Sequence, residues 1–160
     1  MIIGDKNTFA IEYEIIEAKS LVFGKVRLWI ENQYFGCYED ASPLFPTCAH
    51  LLGIGENKKE MMRPLFENAS DEEIFDTLQN QSKKVWRETG LDGVVPFGEP
   101  FDPFTYYAIY RRNKVAFLWQ LSSWCPDESH PRGLQIGEAS REEIYAAALV
   151  FEQRIREVTR

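Results

Sequence analysis

Two stretches near the start of the chain alternate apolar and polar side chains with a period of two. FAIEYEII, residues 9–16, sets Phe9, Ile11, Tyr13 and Ile15 against Ala10, Glu12 and Glu14. FGKVRLWI, residues 23–30, sets Val26, Leu28 and Ile30 against Lys25, Arg27 and Trp29. Successive side chains of a strand point to opposite faces, so this pattern predicts two strands with one face buried and the other in water. Between them and QYFGCYE, residues 33–39, stands Glu31-Asn32, a two-residue connection in which Asn tolerates the left-handed backbone of a tight hairpin. Gly36 weakens this third strand or marks a bulge in it. A three-strand antiparallel meander follows, in which Lys25 and Arg27 face Glu12 and Glu14 across the strands.

The pattern recurs later. TYYAIYRR, residues 105–112, turns at Asn113 into KVAFLWQLSS, residues 114–123, and GLQIGEA, residues 133–139, reads as a last short strand. Two helices carry start signals. Ser70 with Glu73, and Ser140 with Glu143, have the spacing of a capping box, in which each side chain satisfies a backbone donor left open at a helix start. Ile74, Phe75, Leu78, Val85 and Trp86 form the stripe of the first helix, which Gly90 ends. Ile144, Ala147, Ala148, Phe151, Ile155 and Val158 form the stripe of the second. Between residues 42 and 66, Pro46, Gly53, Gly55 and Pro64 predict only short helices. The Gly- and Pro-rich stretches at 90–104 and 124–133 are loops.

Strands in hairpins with helices in separate blocks define an α+β domain. The expectation is a mainly antiparallel sheet of five to six strands, the N-terminal meander plus the later hairpin. A middle helix and a C-terminal helix pack on one face, and the other face is at least partly open to water. At 160 residues the chain fits one domain, 1–160. With 44% hydrophobic and 14% aromatic residues it buries a core without help from disulfide or metal.

Charge and chemistry narrow the function. The net charge of -7 lies wholly in the first half: residues 1–80 hold 14 acidic against 7 basic residues, and residues 81–160 hold 11 of each. An acidic chain is a poor ligand for phosphate backbones, which excludes nucleic acid, and suits a basic protein partner. Three cysteines without regular spacing form no disulfide framework and point to a reducing cytoplasm. No apolar leader is visible at the start, and no run of about 18 apolar residues is present, so neither secretion nor a membrane span is expected. Cys48, His50, Cys125 and His130 lack the spacing of a structural zinc site, and GIGENKKE lacks the third glycine or the GK[ST] of a phosphate loop. No enzyme, cofactor or metal is therefore expected. Exposed aromatics beside acids suit an interface instead. On these grounds Trp29, Glu67, Asp71, Glu72, Asp76, Asp102, Trp124, Asp127 and Glu128 are the candidate contact residues. The alternative is a small-ligand-binding or regulatory module with a pocket between sheet and helices.

The opening IIGDKNTFAIEYEIIE, through Gly4, Asp5, Phe9, Ala10 and Ile11, resembles the immunity protein 42 family of bacterial polymorphic toxin systems. GKVRLWIENQYFG is similar to the family's second and third strands, and PFDPFTYYAIYRRNKVAFLWQ, ending near Trp119, to its later hairpin. Residues 42–100 show no match, and the tail from Gly133 offers no diagnostic residue. The resemblance implies a non-enzymatic, cytoplasmic antitoxin that binds a cognate toxin domain and blocks its active site. A toxin of basic character would meet the acidic first half and the loops around Asp102 and Asp127.

Overall fold

The computed structural model describes residues 1–56, 66, 68–85, 97–111, 113–126 and 128–159, with the backbone alone for 81–85. Residues 59–65 of the short helix expected at 59–66, the Trp86 and Gly90 end of the middle helix, and the start of the following loop lie outside the described residues.

Five antiparallel strands form a first sheet: β1 (Ile2–Asp5), β2 (Phe9–Ala18), β3 (Val22–Ile30), β4 (Gln33–Phe35) and β5 (Ala41–Pro43). Their order is β1-β2-β3-β4, and β5 also pairs with β3. β1 runs through Gly4 and Asp5, and a turn follows at the next residues, where the Thr8 amide donates to the Asp5 carbonyl (3.0 Å). Glu31 and Asn32 both take positive φ, 49° and 65°, as a tight right-twisted hairpin requires. At Gly36 the φ of 114° ends β4 after Phe35, so the third strand is shorter than the expected 33–39.

The later hairpin forms a second sheet of three strands, β6 (Phe104–Arg111), β7 (Lys114–Leu121) and β8 (Leu134–Ala139), in the order β6-β7-β8. The eight strands among the described residues thus divide between two sheets. The reason lies in β7, whose side chains are buried on both faces from Val115 to Trp119. One face (Val115, Phe117, Trp119, Leu121) joins the main core with the first sheet. The other (Ala116, Leu118), with Tyr107 and Ile109, is covered by the middle helix α2 (Asp71–Val85) through Ile74, Phe75 and Leu78. A strand apolar on both sides needs a layer on each.

The remaining helices, α1 (Leu44–Glu56) and α3 (Arg141–Glu157), pack on the inner face of the first sheet. Both expected capping boxes are present: Glu73 N donates to Ser70 Oγ (3.2 Å) and Ser70 N to Glu73 Oε2 (2.9 Å), with the same exchange at Ser140 and Glu143. In α3 the stripe from Ile144 to Ile155 is buried, and Val158 is exposed just past the end.

α1 is longer than its composition predicted. Pro46 falls in the first turn, where its missing N–H breaks no intrahelical bond. Gly55 marks a close approach: a Cβ there would stand 2.6 Å from Tyr145 Cβ on α3, whereas one at Gly53 would meet nothing within 4 Å. The two glycines therefore predict opposite results. Gly53→Ala should stabilise the fold by about 0.5–1 kcal/mol through helix propensity. Gly55→Ala should destabilise it by about 1–3 kcal/mol through overpacking. Urea denaturation of the two variants measures both signs.

Candidate interaction surface

The outer face of the first sheet is the polar side of the alternation. On it, Glu12 stands opposite Arg27 and Glu14 opposite Lys25. The Glu12 carboxylate is shared: Oε2 accepts from Arg27 Nε (2.8 Å) and from Trp29 Nε1 (2.6 Å), and Lys6 Nζ lies 3.5 Å away. Lys25 turns to Glu39 (3.4 Å) rather than to Glu14. The backbone fixes Lys6 there, because Asn32 N donates to the Lys6 carbonyl (2.7 Å) and ties the two neighbouring turns together. Lys6 Nζ then sits 3.7 Å from the Trp29 ring centroid. The Arg27 guanidinium carbon lies 5.1 Å from the Trp29 ring and 4.8 Å from each of the Tyr34 and Tyr38 rings. Trp29 is half-buried, its N–H used and its ring flanked by two cations.

Burial raises the Glu12 pKa, but the hydrogen bonds from Arg27 and Trp29 and the charges of Arg27 and Lys6 outweigh it and hold the carboxyl below its ordinary value. A carboxyl held low in the fold adds stability fully above its unfolded pKa, near 4.5, and loses it as pH falls through the folded value. The difference in unfolding free energy between the wild type and Glu12→Gln should accordingly be constant near neutrality and shrink below pH 4.5. Denaturation curves across that range test it.

From Tyr34 the surface continues onto two loops. Tyr34 pairs with Trp29 across β3 and β4, and its hydroxyl donates to the Ser129 carbonyl (2.9 Å). The Tyr34 ring also lies 4.7 Å from that of His130, which is buried and 4.9 Å from Phe104. Cys37 N donates to the Pro100 carbonyl (2.7 Å), bringing the end of β4 to the 3-10 turn Glu99–Phe101. Ser122 N donates to the Pro103 carbonyl (2.8 Å), joining that turn's exit to the loop after β7. One corner thus collects the Trp29–Tyr34 pair, exposed Asp102 and Glu99, and the loop with exposed Trp124 and Glu128. Trp124 is 69% exposed, the highest value among the described large hydrophobic residues.

The other candidates fall elsewhere. Asp71, Glu72 and Asp76 lie on α2, against the second sheet. Asp71 is ion-paired to Arg111, which also donates to the Ala69 carbonyl (3.2 Å), so it docks the helix start onto β6. Glu72 and Asp76 point to solvent. Glu67 and Asp127 lie outside the described residues. Sequence reasoning missed Arg27 and Tyr34 as members of this corner, though Arg27 stood on the polar side of its strand.

Cys48 and His50 lie on α1, Cys125 and His130 in the later loop, and Cys37 just after β4. Burial pushes the Cys48 thiol up to about 12, and its Sγ lies 3.7 Å from the Ala148 carbonyl. Burial lowers the His50 pKa. Among the described residues no group of three or more His, Cys, Asp or Glu side chains is placed to hold a metal, and no helix is long and apolar enough to cross a membrane. Core side chains pack between the first sheet and the helices. Depressions among the described residues include one along α3 at Leu149 and Glu152 and one beside β1 at Ile2 and Val150.

This two-sheet α+β architecture is also that of the crystal structure of CdiI from Burkholderia dolosa AUO158, with a TM-score of 0.69 over 96% of this chain and 99% of that one. At 14% identity the likeness is one of fold. The chain belongs to the immunity protein 42 family, whose model matches residues 1–153. That match includes residues 42–100, which showed no resemblance by inspection. No curated protein matches the chain.

Proposed function

We propose that this chain is an immunity protein that neutralises a cognate toxin by stoichiometric binding, acting by occupancy of the toxin rather than by chemistry of its own. Family membership over residues 1–153 carries this reading. The corner around Trp124 is the proposed docking surface. It offers a large exposed ring, with exposed Asp102, Glu128 and Glu99 on the same loop or the turn tied to it. Aromatic anchors ringed by charge are the usual energetic core of a protein interface. The acids favour a toxin domain with a basic face, and opposite fields speed such an encounter. The folded chain works in the compartment that the toxin enters, which for a producing cell is the cytoplasm.

The test is co-expression with the toxin domain encoded beside this gene. Growth should be rescued, and the two chains should co-purify as a complex of fixed stoichiometry. Loss of the complex at high salt would agree with an electrostatic contribution. Neither rescue nor co-purification with any neighbouring toxin-like gene would overturn the reading.

A further inference from the structure

An exposed indole is not oriented by burial, so the backbone beneath it decides where it points. Under Trp124 that backbone is a tight turn: Cys125 N donates to the Ser122 carbonyl (3.1 Å), leaving Ser123 and Trp124 at the tip. Both end carbonyls of the turn are held by one side chain. Arg132 Nη1 donates to Ser122 O (3.3 Å) and Nη2 to Cys125 O (2.8 Å). Ser122 is fixed again through its own amide on Pro103, and Cys125 is buried to 7% exposure. The far side of the loop is pinned by the Tyr34 hydroxyl on Ser129.

We infer that Arg132 is a positioning residue that holds the Ser122–Cys125 turn closed, so that Trp124 is presented to the toxin in its bound orientation before contact. The inference rests on the reading of Trp124 as an anchor. A guanidinium suits this role because its planar fork reaches two acceptors at once, which an ammonium on a flexible stem does not reproduce. Holding the turn in the free protein removes an ordering cost that would otherwise fall on association.

The test uses the full chain and the neighbouring toxin domain, inactivated by substitution, in calorimetric titrations, together with hydrogen exchange on the free protein. Arg132→Ala should speed exchange of the Cys125 amide and weaken binding about tenfold, a cost of ordering one loop side chain and its turn on association. Arg132→Lys should behave like Arg132→Ala. In the double variant Trp124→Ala/Arg132→Ala, binding should be no weaker than in Trp124→Ala, since a positioning residue has nothing left to position. Unchanged exchange at Cys125, full rescue by lysine, or losses that add in full would each overturn the inference. If Trp124→Ala weakens binding and Arg132→Ala does not, the positioning role fails and the docking surface stands. If Trp124→Ala has no effect, both fail.

Discussion

Trp124→Ala is expected to weaken the complex with the cognate toxin by roughly 30-fold or more, ~2 kcal/mol, the level at which a residue counts as a hot spot. It is also expected to leave the melting temperature of the free protein almost unchanged. The second expectation makes the first readable. At 69% exposure the ring contributes little to the fold, and substitutions at such sites shift stability by about 0.5 kcal/mol or less. Trp29 offers no such separation. Its N–H binds Glu12, and its ring lies beneath Lys6 and beside Arg27, so Trp29→Ala would leave a carboxylate and two cations to rearrange. Titration calorimetry against the toxin, with thermal unfolding of each variant, measures both quantities. A Trp124→Ala protein that binds as tightly as the wild type would remove this corner from the interface.

The largest loss of stability should come from Phe35→Ala, at about 3–5 kcal/mol. Phe35 is 1% exposed and lies at the junction of the two sheets. Its ring centroid stands 4.9 Å from Phe101, 5.0 Å from Tyr106, 5.2 Å from Phe104 and 5.5 Å from Trp119. Those partners come from the 3-10 turn, β6 and β7, so one ring joins β4 to three later segments. No single neighbour can collapse into the space it vacates, which puts the cost in the upper part of the range for a large-to-small change. Against the 5–15 kcal/mol of an ordinary domain, this is a large fraction. The urea midpoint of Phe35→Ala should fall sharply, and that of Phe35→Leu less. A small shift for Phe35→Ala would show that the junction is looser than these ring distances imply.

What could be read from the sequence was local. The alternation in β2 and β3, the positive-φ turn at Glu31-Asn32 and the two Ser-x-x-Glu boxes each state their own structure within a few residues. α1 was hidden for a related reason: Pro46, Gly53 and Gly55 are breakers by composition, and only the contact with Tyr145 shows why Gly55 belongs in a helix. The division into two sheets depends on what covers the second face of β7, and that cover comes from residues some forty positions earlier. The candidate surface was legible in part. Trp29 announced itself as the odd aromatic on a polar face, and Trp124, Asp102 and Glu128 as polar-loop residues. Their convergence was not legible, because it depends on the contact of Tyr34 with Ser129, 95 residues apart. Nor was the role of Asp71, whose partner Arg111 lies 40 residues away.

The strict alternation of β3 has a consequence for how such a protein can change over generations. Val26, Leu28 and Ile30 are committed to the core, while Lys25, Arg27 and Trp29, interleaved with them, are not. The outer set, with the tip residues of the loop after β7, can be exchanged for other chemistry while every core contact is kept. A lineage built this way can vary its outer chemistry in single substitutions. It need never pass through an unfolded ancestor.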